Sequence, residues 1–550
     1  MVNIHGLWRL SRNTDTVPDE VPNACTSRAQ RILPLCDNAE MLRFTPDELD
    51  LALAAIQIHG YGDFFPEPPE LSLLVDNWSD LRNELAHVDL DLYGGHDVIF
   101  AFAPKSRLNV RRVALLHPYD LLFYTGLVLA LRDGITSARL PVGVNRVFSY
   151  HAEGASGCVL YKDEPGYREF RDAVCKRASG ARESYVGITD IADFYPRIYQ
   201  HRLVNALQAA CGNSCQDYVR VLEKMLTRLS ENVSYGIPIG PPASRLLGEA
   251  ILIDVDRTLL SYGIDFLRFT DDFVIFSDTP EDAEYGIRIL GETLFANHGL
   301  TLQTAKTKLL KGHEYAERYL TTHTKKEEER RKLLDLVGEY DESVSYEDMS
   351  EEEQREIDAM NLSEMLADAL AEGQNVDFRE VSFILGRLSA LEKPELIPIV
   401  LNNLERVAPV AHSVAAFFKK FASMDDATRK QAATALLDPI LKNSKYASEY
   451  YTIWVLSIFA ETAVWDHAES LLRILREARS DAVRRFAALA LGTSGSRAEV
   501  IHVKQYMASA SSLCRTALML ATAKLGKDER KYLRQSLRLG DSCEKICMGF

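Results

Sequence analysis

The chain has 550 residues, 47% apolar and 26% charged, with a formal net charge of −16. That length and balance exclude a disordered or fibrous chain and predict several domains around a large core. The acid excess argues against a surface that binds nucleic acid everywhere, but the basic run PKSRLNVRR (104–112) leaves room for a local cationic groove.

The N-terminal stretch MVNIHGLWRLSRNTD lacks the charged and apolar regions of a signal peptide. No apolar run reads as membrane-spanning, and LLFYTGLVLAL (121–131) is expected to form a buried helix. Cysteines stand at 25, 36, 158, 175, 211, 215, 514, 543 and 547. The odd count predicts reduced thiols and a cytoplasmic location. Cys211/Cys215 and Cys543/Cys547 sit one helical turn apart, without the further ligands a zinc finger needs.

In chain order, residues 1–100 read as a helical extension with proline-rich turns at FFPEPPE (64–70). From 101 to 322 short strands alternate with helices, an α+β pattern. DVIFAFAP, ESYVGITDI, FLRFTDDFVIFSD and GLTLQTAKTKLL are strand-like, and PASRLLGEAILIDVDRTLLSYG (242–263) is helical. Residues 323–360, from HTKKEEERRK into an acidic tract, predict a charged helical linker and a domain boundary. From 361 to 550 the chain reads as all-helical. SDAVRRFAALALGTSGS (480–496) predicts a capped helix ending at Gly492, and SLCRTALMLATAKLGKD (512–528) one ending at Gly526. Their separation falls in the range of helical repeats.

The chemistry concentrates in aspartates. Asp271 and Asp272 lie inside the apolar run IDFLRFTDDFVIFSD, where bare charge is costly unless solvated, paired or metal-bound. Successive side chains on a strand alternate faces, so a tight turn at 270–272 is expected to carry Asp271 to a hairpin tip. Asp190 ends the strand-like run of YVGITDIADFYPRI. Carboxylates holding two metal ions can align a 3′ hydroxyl with a nucleoside triphosphate for in-line displacement. Asp190 and Asp271 are the expected ligands, with Asp272 beside them and the carbonyl of Ile191 as a further oxygen. The ions are expected to be Mg²⁺, with Mn²⁺ as the alternative.

The ordered set APKSRLNVRRVALLHPYDLLFY (103–124), TDIADFYPRI, YGIPIGPPASRLLGEAI (235–251), FLRFTDDFVIF and GLTLQTAKTKLL resembles the reverse transcriptases across about residues 100–315. GIPIGPPASRLL followed by FTDDF is similar to the bacterial abortive-infection and other defence-associated members, several of which carry a C-terminal HEAT-like helical domain. The resemblance implies fingers and palm over 101–322, a HEAT-like repeat domain over 361–550, dNTP substrates, a DNA product and an antiphage role. It also implies a homo-oligomer, trimer or hexamer, while the lack of a spanning apolar run predicts no membrane partner. DNA synthesis would be untemplated or directed by a partner non-coding RNA, with self-priming from a tyrosine as an open option.

Residue by residue, the resemblance gives Lys105, Arg111 and Arg112 to the triphosphate, the interval to Asp120 favouring Arg111. Tyr195 becomes the wall against a 2′ hydroxyl, next to Phe194, and Asp193 a residue near the triphosphate. Gly236, Pro238 and Gly240 shape a loop close to the nucleotide or template. Lys306 is the expected donor of a proton to the leaving pyrophosphate. The sequence departs from the common pattern at Ile239 (usually Gln), at Arg245 (usually Pro) and at Phe269 (usually Tyr). Those departures bear on template reading and leave the metal chemistry intact.

Two rival readings are weaker. ILIDVDRTLL (251–260) contains the DxDxT of a haloacid-dehalogenase phosphatase, but it follows a helical segment and carries Arg257 where glycine is usual. Asp254 and Asp256 are therefore expected on the exposed side of a palm helix. The other is a defence scaffold with a vestigial polymerase site, against which stand the intact Asp190, Asp271, Asp272 and Lys306.

Overall fold

A capping box between Thr45 and Glu48 starts the first helix, α1 (Pro46–His59). The computed structural model describes residues 41–320 and 350–549, less short stretches at 107, 156, 180–183, 352–353, 356–360, 372–375, 391–395 and 422–423. Residues 1–40 and nearly all of the expected linker lie outside the described residues. Residues 42–550 make one unit.

After α1 come α2 (Pro69–Asp76) and α3 (Trp78–Leu85), then an antiparallel hairpin of β1 (Ile99–Pro104) and β2 (Val110–Leu115). His117 caps the long α4 (Pro118–Ala138). This helix is apolar and long enough to cross a membrane by length and composition. It packs instead inside the protein, with Leu122, Phe123, Tyr124, Leu127, Val128 and Leu131 buried, as the sequence predicted.

Next come α5 (Tyr167–Ser179) and β3 (Tyr185–Asp190). The short α6 (Phe194–Arg197), α7 (Gln200–Cys211), α8 (Gln216–Leu229), α9 (Ala243–Ile251) and α10 (Ile253–Ser261) follow. The hairpin of β4 (Asp265–Phe269) and β5 (Asp272–Ser277) leads into α11 (Pro280–His298), β6 (Lys308–Lys311) and α12 (Gly312–Leu320). The strands form one antiparallel sheet in the order β4-β5-β3-β6. Period-two alternation divides its side chains between two cores. Val186, Leu267, Val274 and Phe276 pack with Phe170 and Val174 of α5, while Phe266, Phe273 and Ile275 join the main core. A sheet buried on both faces fits the nearly unbroken apolar reading of β4 and β5.

Described elements from Leu362 onward are all helical. Helices Phe378–Ala390, Ala411–Lys420, Glu449–Glu461, Asp481–Ser494 and Ser512–Ala521 pack each on the next in chain order. Two expected ends move. The helix from Asp481 runs through Gly492 to Ser494 and is capped by Gly495. A Cβ at Gly492 would lie 2.8 Å from the Ala521 Cα, so this glycine serves close helix packing rather than a stop. The helix from Ser512 stops at Ala521, and Gly526 opens the next helix, Lys527–Ser536.

The tail also packs on the N-terminal half. Helices Glu449–Glu461 and Asp481–Ser494 contact β1. Arg485 forms a two-pronged ion pair with Glu70 of α2 at 2.7 and 2.6 Å, both side chains fully buried, and Thr516 donates to the same carboxylate. Ser542, at the start of helix Ser542–Cys547, donates to Glu84.

Candidate active site

The register of the sheet assembles the carboxylates. Asp190 is the last residue of β3 and pairs directly with Asp272, the first of β5. Between β4 and β5 lie only Thr270 and Asp271, with Thr270 at φ +53°. That tight turn swings Asp271 back over β3, and its carbonyl accepts the Ile191 N–H at 3.1 Å. The Asp271 carboxyl meets that of Asp190, so the structure brings the three aspartates singled out in the sequence into one site. Burial, then the charges of Asp272 and Asp190, push the Asp271 carboxyl well above the usual carboxylate range.

Asp190 is 3% exposed. One carboxylate oxygen takes the Lys306 ammonium, while the other, Oδ1, is buried without a hydrogen-bond donor. Burial works against the Lys306 charge, but its bond to Asp190 and the charges of Asp190, Asp272 and Asp271 raise its pKa overall. The backbone around Ile191 is fixed by Gln303 N–H donating to the Asp190 carbonyl at 2.7 Å and by a bridge between Ile191 and Leu302. Three converging carboxylates, one with an orphaned buried oxygen, fit divalent cations.

A buried ionic network carries the turn. Arg268, fully buried, donates to both oxygens of Asp256 at 2.8 and 2.6 Å and reaches Glu249 at 3.0 Å. Its remaining nitrogen donates to the Thr270 carbonyl at 2.9 Å. Arg139 donates to Glu249 at 2.7 Å, Ser149 Oγ donates to Glu249 at 2.6 Å, and the Thr270 N–H donates to Ser149 Oγ at 2.9 Å. Both polar groups of the Thr270 backbone are thus held. Against the effect of burial, Arg268 and Arg139 hold the Glu249 carboxyl below its ordinary value. This corrects the expectation for Asp256, which is 1% exposed and inside the fold. Helix α10 is packed on both sides, so one turn of it must face the core. Asp254, partly exposed, accepts from Asn297 at 2.8 Å and pairs with His298.

The positions expected to contact a nucleotide lie on α6 and on the loop before α9. Gly236 N–H donates to the Ile198 carbonyl and Ile237 N–H to that of Tyr195, laying the loop along α6. Tyr195 is half-buried and lies over Gly248, where a Cβ would meet its ring at 3.1 Å. Burial, with Tyr150 and Asp271 nearby, keeps the Tyr195 phenol protonated far above its ordinary value. Pro238 is buried and Gly240 half-buried, the latter at φ +132°. Asp193 is exposed at φ +47° and opens α6. Phe194, also expected at the nucleotide, is 3% exposed and belongs to the core.

Of the cations expected to meet the triphosphate, Arg111 lies over the Phe64 ring at 5.2 Å. Arg112 lies over Phe100 at 3.5 Å and pairs with Glu231. Adjacent strand residues face opposite ways, so the two arginines do not converge. Lys105 is exposed at the β1–β2 turn.

Sequence reasoning missed the segment 59–65 and the tyrosines beside it. Gly62 backs onto Gly240 so closely that a Cβ would lie 2.6 Å from the Gly240 carbonyl oxygen. Asp63 pairs with Arg245 at 3.1 Å. Arg245 also donates to the Tyr161 hydroxyl at 3.3 Å and lies over Tyr150. The only sequence signal was Arg245 itself, as a departure from proline.

A second titratable cluster joins the tail to α4. His96 bonds Asp541 at 2.8 Å, lies 3.5 Å from Asp120, and stacks on His117 with centroids 3.6 Å apart and planes at 15°. A metal binds in the plane of each imidazole, and two nearly parallel planes cannot share one ion. The cluster is an ion-paired histidine between two carboxylates.

Residues 152–336 match the family model described as reverse transcriptase (RNA-dependent DNA polymerase). No curated protein matches the chain. Among solved structures, similarity extends to telomerase from Candida tropicalis. A form truncated of its C-terminal domain gives 13% identity and a TM-score of 0.30, covering 48% of this chain and 54% of that one. The apo form gives 12% identity, 70% and 74% coverage and a TM-score of 0.32. Telomerase from Candida albicans with a fragment of telomeric RNA gives 10% identity, 85% and 71% coverage and a TM-score of 0.30. The chain spans about half the length of the first of these, and at such scores none of them carries a function across. The residues matched by the family model, 152–336, include the assembled carboxylates Asp190, Asp271 and Asp272.

Proposed function

We propose that this chain is a DNA polymerase of an antiphage defence system, adding dNTPs on an RNA template or without a template. The observation that carries the polymerase reading is the convergence of Asp190, Asp271 and Asp272 at one end of an antiparallel sheet within the matched domain.

Asp190 and Asp271 would hold two Mg²⁺ ions, with Asp272 and the Ile191 carbonyl beside them. When bound, the ions supply an acidified 3′ hydroxyl and charge stabilisation of the pyrophosphate. Tyr195, braced on α9 at Gly248, walls off a 2′ hydroxyl and selects deoxynucleotides by size. Arg111, its guanidinium over Phe64, supplies positive charge suited to phosphate oxygens. Lys306 holds its proton at Nζ, kept there by the three aspartates, and can give it to the leaving group.

The defence role rests on the likeness of GIPIGPPASRLL and FTDDF to the abortive-infection enzymes. A tail of helices packed in chain order is in keeping with their HEAT-like domain. A homo-oligomer and a partner non-coding RNA belong to the same reading. The test is Mg²⁺-dependent incorporation of labelled dNTPs by wild type and Asp271→Ala, with phage plating of cells expressing each. Incorporation and protection that both vanish in the variant support the proposal. Absence of incorporation with any primer, template or co-expressed RNA refutes the polymerase reading, and protection that survives Asp271→Ala refutes its role in defence.

A further inference from the structure

Helix Lys527–Ser536 carries a stripe of one sign. Lys527, Arg530, Lys531, Arg534 and Gln535 fall at helical spacings of three and four, and line an open hollow of about 530 Å³. Four of the five are cations. Like charges at such spacings oppose the helix that carries them. The stripe stands on a chain of net charge −16, where scattered lysines would find carboxylates readily.

The stripe is not neutralised from within. Among the described residues, no carboxylate pairs with Lys527, Arg530 or Lys531. Glu529, on the same helix, is taken by Arg497 at 2.8 and 2.9 Å. Arg534 alone has a structural task, donating to the carbonyls of Met548 and Gly549. That bond pins one edge of the hollow, with Lys527 and Lys531 exposed and Arg530 half-buried beside them.

We infer that this stripe binds the sugar-phosphate backbone of a single-stranded nucleic acid. Its length, from Lys527 to Gln535, is about 12 Å at 1.5 Å per residue. Lys527, Arg530 and Lys531 can each meet one phosphate of a strand laid along it, about three contacts. An acidic chain repels polyanions overall, so a strand needs a local concentration of cations such as this one. That the ligand is a strand made or read by the enzyme rests on the polymerase reading. The cationic hollow itself does not.

The test measures binding of a labelled oligothymidylate to the full chain by fluorescence anisotropy across salt concentrations. The variants are Lys527→Gln/Arg530→Gln/Lys531→Gln and the milder Lys527→Gln/Lys531→Gln, with Arg534 kept. Thermal melting shows that each variant is folded. The triple variant is expected to bind about tenfold more weakly at low salt, with its log–log salt slope shallower by about 2, from three lost contacts at about 0.7 each. The double variant falls between. Affinity and slope unchanged in both variants, or no binding by wild type, overturns the inference. So does loss of binding to polyglutamate with oligonucleotide binding intact, which marks an acidic protein as the partner. Incorporation is measured in parallel, and its absence in wild type sinks the polymerase reading alone.

Discussion

Asp256→Asn tests whether the buried network, rather than the hairpin alone, holds the turn that carries Asp271. In the wild type two arginines, Arg139 and Arg268, face two carboxylates, Glu249 and Asp256, with side-chain exposures of 3% or less. The amide keeps the shape but removes one charge, leaving two buried cations on one carboxylate. It also presents an NH₂ group to Arg268, which donates there at 2.6 Å. Breaking a buried pair from one side costs about 3–5 kcal/mol, and an isosteric amide falls at about the lower figure. Asp254→Asn is the internal control. Its carboxylate is 47% exposed and keeps one acceptor oxygen as an amide, so the expected loss is under about 1 kcal/mol after solvent screening. Urea denaturation of the two variants side by side measures the difference. Dropping Arg268 out of register also frees the Thr270 carbonyl, so incorporation by Asp256→Asn is expected to fall more than tenfold while Asp254→Asn stays near wild type. Equal, small losses in both variants would refute the reasoning.

Asp271→Asn removes a buried carboxylate crowded by two others, so it is expected to raise the melting temperature without divalent ions, shrink the Mg²⁺-induced rise and abolish incorporation. A lowered melting temperature in metal-free buffer would show that Asp271 is not under like-charge strain. Tyr195→Val shortens the wall over Gly248 and is expected to improve rNTP incorporation relative to dNTP at least tenfold in kcat/KM; an unchanged ratio would remove Tyr195 from sugar selection. Despite burial, hydrogen bonds to Asp120 and Asp541 raise the pKa of His96 to about 9, while burial lowers that of its stacked neighbour His117 to about 4. Stability from His96 is therefore complete below about 6.5, its unfolded value, and lost as pH rises through about 9, a window in which His117 stays neutral. Arg228, bonded to Asp120 at 2.8 Å, and Tyr93, within 3.1 Å of His96, also face this pair. Melting curves from pH 6 to about 9.5 are expected to decline in wild type and flatten in His96→Gln; parallel declines would place the proton elsewhere.

The sequence by itself determined the local elements and the meeting of the aspartates. Aromatic and β-branched runs around Asp190 and Asp271 specified strands, and the triplet TDD left room for only a tight turn. Strand period and turn length are local properties, so the assembled carboxylates were legible before any coordinates. What only tertiary structure decided was which polar groups lie inside. Asp256 and Arg268 read as ordinary helix and strand charges, yet pairing across twelve residues makes both buried. Loop 59–65 carries no motif, and its approach to Gly240 and Arg245 comes from packing. The same holds for Glu70 with Arg485 and His96 with Asp541, joined across more than four hundred residues. Burial of a charge depends on a partner that lies far away in the chain, and no window of sequence contains both.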